Sequence, residues 1–360
     1  MRALPSSSSR QRNARSQASP TATGVPPVPP EDSPKAGVSR DVDTVARGGG
    51  RMDVRQSITD RIIAMLEKGG NVFRERWTRA ASRGMPCNGK TGAAYRGANV
   101  LLLWDAAIER GYASNVWLTY KQAASLGAQV RKGERAVLCA HFERKPGRAS
   151  PGAVHGPQVD SDRAQEDDDG ARRGAARSFL MCRPFWLFNI AQIDGLPPEL
   201  LGDVPALQGW ADRSPVVGAM RFIGGCGADI RHGYAQAAYA PRADRILMPD
   251  VDRFTSPEAY CATALHELVH WTGHPDRLAR AFGQRFGDAA YAFEELVAEL
   301  GSAYVLGHIG LVDATIEGHA GYLEAWLKVL RDDRSAIFTA ARLAGEAYEY
   351  ILGRALPSPG

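Results

Sequence analysis

The chain has 360 residues, of which 44% are hydrophobic and 23% charged, with a formal net charge of +4. That length accommodates two domains plus tails, and no apolar run approaches the ~18 residues a membrane-spanning helix needs, which excludes that class and leaves no membrane partner. The five scattered cysteines, Cys87, Cys139, Cys182, Cys226 and Cys261, form no C-x-x-C pair; this argues against a disulfide framework or cysteine zinc site and for a reducing, cytoplasmic compartment.

Residues 1–52 are rich in Ser, Pro, Arg and Gly, and too poor in apolar periodicity to offset the entropy of ordering. They read as a disordered tail without the apolar core of a secretory signal, and Met52 is an alternative start. From Asp53 the pattern changes: Ile58, Ile62, Ile63 and Leu66 recur at helical spacing, which predicts a helix ending at Gly69-Gly70. A basic, aromatic stretch Phe73-Arg74-Glu75-Arg76-Trp77 follows, then a turn-rich loop over Pro86–Gly92. Leu101–Trp104 opens an apolar helix, and Trp117-Leu118-Thr119-Tyr120 precedes a short one. Gln129–Glu134 reads as a turn into a strand over Ala136–Phe142, whose partner would be Phe179–Phe188 across a flexible insertion at 146–177. A proline-rich segment then marks the boundary of a domain spanning 53–195, with a linker at 196–204.

Charge divides along this boundary. Residues 51–145 hold 17 Lys/Arg against 8 Asp/Glu, a net of +9, whereas residues 246–360 hold 9 against 16, a net of −7. Cations interleaved with Phe73, Trp77, Tyr95, Trp117 and Tyr120 suit single-stranded nucleic acid, which needs positive charge along its phosphates and flat rings under its unpaired bases. Composition alone fits slightly better rings that are core and charges that are solvated surface.

The second domain, 205–355, is organised around His266-Glu267-Leu268-Val269-His270. On a helix, histidines at i and i+4 share a face and can grip one metal ion, while the glutamate between them takes a proton from water that the ion has acidified. Ser256, Pro257 and Glu258 supply a hydroxyl cap, a first-turn proline and an early acid for that helix, and Gly273 its stop. Arg245–Pro249 reads as a short strand before it, which fits equally an ordinary core strand and the strand that in zincins lies at the edge of the cleft, where an extended peptide could pair. A catalytic zinc needs a third protein ligand. Asp276 completes H-E-x-x-H-x-x-G-x-x-D, and His274 serves only if the helix breaks sharply after Trp271. Glu294 and Glu295 lie on a second helix over Tyr291–Leu300, which Asp288 is placed to cap. Glu295 and Glu299, one turn apart, resemble the gluzincin arrangement, in which the first acid binds metal and the second orients a ligand imidazole. Glu295 is the favoured ligand, with Asp276 and Glu294 as alternates, Glu299 as the orienting acid and Glu267 as the proton carrier. Such a ligand set takes Zn2+ and also accepts Mn2+ or Co2+. Helical spacing over Gly321–Leu330 and Ser335–Leu352 closes the domain, and Gly301, Ala298 and Ala303 suit close helix packing.

Several segments together resemble the ArdC-type antirestriction proteins. They are Ile58–Ile63, Tyr95-Arg96-Gly97-Ala98-Asn99, Trp117–Ala123, Gln129–Glu134, Phe188–Pro197, Ile246–Pro249, His266–His274, Arg277-Leu278 and Tyr291–Leu300, in the same order over roughly 53–310. The resemblance implies an α+β, two-domain protein: an N-terminal single-stranded-DNA-binding domain, and a mainly helical, zincin-like metallopeptidase domain with a small sheet. It also implies protection of mobile-element DNA entering a recipient cell, and a protein substrate whose identity the sequence does not give. The candidate DNA contacts are the cations Arg74, Arg96, Lys121, Arg131 and Lys132, the rings Trp77, Tyr95 and Trp117, and the amides Asn88 and Asn99. Two other readings fit the same residues: a DNA-coating protein with a structural or inactive metal site, and a metalloprotease whose basic domain recruits a protein partner.

Overall fold

The computed structural model describes residues 52–81, 84–145, 179–201, 215–282, 289–311 and 323–355. Residues 1–51 of the expected tail, the 146–177 insertion, part of the linker and the Asp288 cap lie outside them.

The N-terminal half opens with helix α1 (Val54–Ala81), which buries Ile58, Ile62, Met65 and Leu66. The helix does not end at Gly69-Gly70 but runs on through Arg74 and Trp77. A glycine inside a helix costs only roughly 0.5–1 kcal/mol relative to alanine, too little to end one that is anchored by a packed face. Helix α2 (Ala98–Glu109) is apolar nearly all round, and Val100 to Trp104 are all fully buried, as expected of a helix enclosed on every side. These two helices back a four-stranded sheet in the order β1 (Cys87–Asn88), β2 (Val116–Leu118), β5 (Phe179–Asn189), β4 (Val137–Lys145). Strands β4 and β5 pair antiparallel from Val137↔Leu187 to Lys145↔Phe179, as the sequence predicts for the two sides of the insertion. Gln129–Val130 is not part of a turn but a short strand, β3, paired with β6 (Ile193–Asp194). Helix α3 (Tyr120–Ser125) begins in a capping box, with Thr119 Oγ1 accepting from Gln122 N and the Gln122 side chain accepting from Thr119 N. A second, smaller core of Val116, Leu118, Val130, Ile190 and Ile193 lies under it.

After the short α4 (Pro198–Leu201) and α5 (Pro215–Gly225) come three strands in the order β7 (Asp229–Arg231), β9 (Arg245–Leu247), β8 (Ala238–Ala240). Here the structure decides between two expectations in favour of a core strand: the strand before the metal-motif helix is central, parallel to β7 and antiparallel to β8. Both its edges are paired, so a peptide can join this sheet only at β7 or β8. Helices α6 (Pro257–Thr272), α7 (Ala289–Ile309), α8 (Leu323–Asp332) and α9 (Ala336–Ala355) complete the domain. Gly301 of α7 lets that helix approach α6, since a Cβ there would lie 3.0 Å from both methyls of Val269.

One hydrophobic core runs from α1, α2 and the β4–β5 sheet into α6, α7 and α9. Tyr304 of α7 donates to the Gly97 carbonyl at 3.2 Å and packs at a tilt against Trp104, and Thr59 of α1 donates to the Arg334 carbonyl at 2.9 Å. Near the end of α7, His308 shares a 2.8 Å hydrogen bond with Tyr348, and burial pushes its pKa down to about 4. Between pH 6.5 and 4 the unfolded chain therefore holds more protons than the folded one, so this contribution is complete above 6.5 and lost as pH falls toward 4. The loss amounts to about 3 kcal/mol. His308→Leu is expected to flatten the acid side of the stability profile, read from urea midpoints at pH 7 and 4.5 in both proteins.

Candidate metal centre and nucleic-acid face

Helix α6 starts where its sequence says it should: the Ser256 hydroxyl accepts from Ala259 N and Pro257 occupies the first turn. Every residue from Ala259 to Thr272 is buried, including His266, Glu267 and His270. Burying ionisable groups on a helix costs free energy unless other charges compensate; for the two imidazoles α7 supplies these with Glu294, Glu295 and Glu299, all buried.

Two imidazoles and one carboxylate converge. His266 Nε2 and His270 Nε2 are 3.1 Å apart, Glu295 Oε2 is 3.5 Å from the first and Glu295 Oε1 3.5 Å from the second. Ligand atoms at 2.0–2.2 Å from a tetrahedral ion are separated by about 3.3–3.6 Å; both contacts to Glu295 fall in that range and the two imidazole nitrogens stand slightly closer, so the donor set fits a small divalent cation once the two rings part slightly. Among the described residues this is the sole group of three or more His, Cys, Asp or Glu with that convergence.

The other acids stand elsewhere. Glu299 faces the far side of the His266 ring, at 3.6 Å from Nδ1. Glu294 lies at 3.3 Å from His270 Nδ1, behind the ring whose Nε2 points into the cluster, and its carboxylate is also held by Arg280. As an alternate ligand Glu294 is therefore turned away. Asp276 is also outside the cluster, because α6 stops at Gly273 and the Asp276 side chain is 86% exposed beside His274. His274 follows the stop, and its Nδ1 accepts from Asp276 N at 3.2 Å rather than joining the other imidazoles. No hydrogen bond or ion pair to the Glu267 carboxylate forms among the described residues, although its charge acts on both histidines.

Burial opposes protonation of both rings, but the carboxylates outweigh it. Glu295 and Glu299 raise His266, while Glu294 and Glu295 push His270 up to about 10. Burial likewise opposes ionisation of Glu295, yet hydrogen bonding to His266 and His270 holds it well below the usual carboxylate range. A cation entering this site competes with protons.

In the N-terminal half the expected contacts separate. Trp117 is fully buried, edge-on to Tyr112, and cannot stack on a base. Asn99 commits its amide to both backbone groups of Ala140, at 2.9 and 3.0 Å. Asn88 shapes its own loop, accepting from Lys90 N and Thr91 N and donating to Tyr95 and Gln122. These three act inside the fold. Tyr95 is half-buried beside Asn88, with burial pushing its pKa up to about 12. Arg131 is exposed but tied to Glu134, Asp194 and the Ala191 carbonyl, and the exposed Arg96 pairs with Glu349 at 3.0 Å. Lys121 and Lys132 are exposed, and Arg74 and Trp77 fall on the second half of α1. One exposed ring is absent from the expected set: Trp186 of β5, paired with Leu138 and 42% exposed. Since Leu118 pairs with Phe188, Tyr120, 48% exposed, leaves the sheet where Trp186 sits on the adjoining strand.

Residues 52–183 match the family described as the N-terminal domain of the anti-restriction factor ArdC, and residues 218–343 match zincin-like metallopeptidases. The chain is 40% identical over 300 residues to the uncharacterized protein y4eC of Sinorhizobium fredii (strain NBRC 101917 / NGR234), covering 83% of this chain and 91% of that protein. It is 35% identical over 301 residues to an Escherichia coli DNA primase, TraC, covering 82% of this chain but 27% of the primase. Among solved structures it resembles antirestriction ArdC from the R388 plasmid, metal-free and Mn(II)-bound, at 35% identity and a TM-score of 0.64. Those matches cover 84% and 85% of this chain, and 98% and 100% of the respective structures.

Proposed function

This chain belongs to the ArdC family of antirestriction proteins, and we propose that it binds single-stranded DNA through its N-terminal domain and hydrolyses peptide bonds at a divalent metal held by His266, His270 and Glu295. In this reading it works in the cytoplasm and protects mobile-element DNA entering the cell as a single strand. The observation that carries the peptidase half is the buried convergence of those three side chains beside Glu267. A bound divalent ion would acidify water toward pKa ~7 and polarise the scissile carbonyl. Glu267 would serve as the proton carrier, accepting a proton from the attacking water and returning it to the departing amine nitrogen. Glu299 and Glu294 stand 3.6 and 3.3 Å from the Nδ1 atoms of the two imidazoles, so that each Nε2 faces Glu295. Zinc suits two imidazoles and a carboxylate, and manganese or cobalt fits the same donors; the R388 ArdC structure with Mn(II) supports that breadth. Elemental analysis of Glu295→Ala tests the site: about one ion per chain in the parent protein, lost in the variant while DNA binding persists, is the expected result. Metal retained in the variant overturns the ligand set.

For the DNA half, support comes from the exposed Tyr120 and Trp186 with Lys121 and Lys132 on the same domain. Trp186→Ala is expected to weaken binding of an oligothymidylate by about 1–3 kcal/mol, the worth of one stacked base, with metal content unchanged. Lys121→Ala and Lys132→Ala should each reduce the slope of log K against log salt by about 0.7. Fluorescence anisotropy across a salt series measures both, and an unchanged affinity in Trp186→Ala removes that ring from the interface.

A further inference from the structure

Just past the metal-motif helix, the chain turns back and inserts one arginine beneath it. Thr272, Gly273 and His274 accept backbone bonds from Leu278, Arg280 and Ala279 at 3.0 Å each, and Ala279 sits at φ 48°, a left-handed turn that delivers the next residue inward. Gly273 makes the room, because a Cβ there would come within 2.6 Å of Phe282 Cζ and 3.0 Å of Arg280 Nη2. The Arg280 side chain is only 2% exposed.

Its guanidinium bonds to three residues on two helices. Nη2 donates to the Val269 carbonyl at 2.6 Å and Nη1 to Thr272 Oγ1 at 2.8 Å, so one edge grips the last turn of α6, where the helix dipole is negative. Nε and Nη2 donate to Glu294 at distances of 2.8 to 3.2 Å, so the other edge grips α7. Glu294 in turn stands 3.3 Å from His270 Nδ1. The two helices joined in this way carry His266 and His270 on one side and Glu295 on the other. A planar fork satisfies both partners at once, which a lysine point charge cannot.

We infer that Arg280 is a positioning residue of the metal centre, locking α6 and α7 in register and holding Glu294 against His270 so that His270 Nε2 meets the ion. This role rests on the metal reading above. The test is zinc affinity by chelator competition in the full-length parent protein, Arg280→Met, Arg280→Lys, Glu294→Gln and the Arg280→Met/Glu294→Gln pair, with single-strand DNA affinity as the check on folding. Arg280→Met should weaken zinc 10–100-fold, the range seen when a ligand's orienting partner is lost. Arg280→Lys should recover only part of this, and the double variant should be no weaker than the weaker single one, because both residues act through one imidazole. If Arg280→Met does not fold, Arg280→Lys and Glu294→Gln carry the same comparison. Parent affinity in a folded Arg280 variant, full recovery by lysine, or additive losses overturn the inference while leaving the metal site standing. A parent protein that takes up no divalent ion overturns the metal reading and this role together.

Discussion

Glu267→Gln is expected to lower peptide hydrolysis by roughly 10²–10⁴-fold, the usual contribution of a positioned proton carrier, while metal content stays at that of the parent protein. The substitution keeps the size of the side chain and removes only its basicity. Glu267 lies between the two histidines of α6, buried, with its carboxylate bound to no other group among the described residues. Three of the carboxylates around this site divide by geometry: Glu295 faces both Nε2 atoms, while Glu294 and Glu299 back the two Nδ1 atoms; Glu267 is the one left for the proposed proton transfer. Cleavage of an unfolded protein substrate, measured beside elemental analysis, checks the expectation. Cleavage at the parent rate by the glutamine variant would remove the peptidase assignment and favour a protein that acts by coating DNA.

Arg280→Met is expected to destabilise the protein by about 3–5 kcal/mol, because it leaves the Glu294 carboxylate buried without its cation. Arg280 and Glu294 are 2% and 5% exposed and lie 2.8 Å apart, so water cannot substitute for the missing partner. Replacing both by apolar residues of similar volume, as in Arg280→Met/Glu294→Leu, should return most of that loss, since desolvating an ion pair costs about as much as the pair returns. Denaturant midpoints of the three proteins decide it. A single variant as stable as its parent would mean that the guanidinium is dispensable to the fold.

Some of this was legible in the sequence because it depends on local periodicity. The cap at Ser256, the stop at Gly273 and the 3.6-residue repeat that brings His266 and His270 to one face need no knowledge of the rest of the chain. The same repeat turns Glu295 and Glu299 toward one helix face, and both carboxylates meet His266. The pairing of β4 with β5 followed from two apolar runs flanking a segment that could form neither.

Tertiary structure decided the rest, for reasons that spacing does not encode. Glu294 and Glu295 are adjacent, and which one enters the cluster depends on how α7 is rotated against α6, a rotation fixed by packing at Gly301 and by Arg280. No motif marks Arg280, because its partners lie 8, 11 and 14 residues away and meet it only through a turn at Ala279. Strand β9 became central because β7 and β8 closed on it from both sides, and a three-residue strand carries no signal of its neighbours. In the N-terminal half, side chains alternate between the two faces of a strand. Trp117 therefore turned into the core and Trp186 out to solvent, a difference of phase set by which face α1 and α2 cover. The sequence by itself determined which ligating and aromatic side chains this protein has; the packing of α7 on α6, and of two helices on one sheet, decided which of them converge and which face solvent.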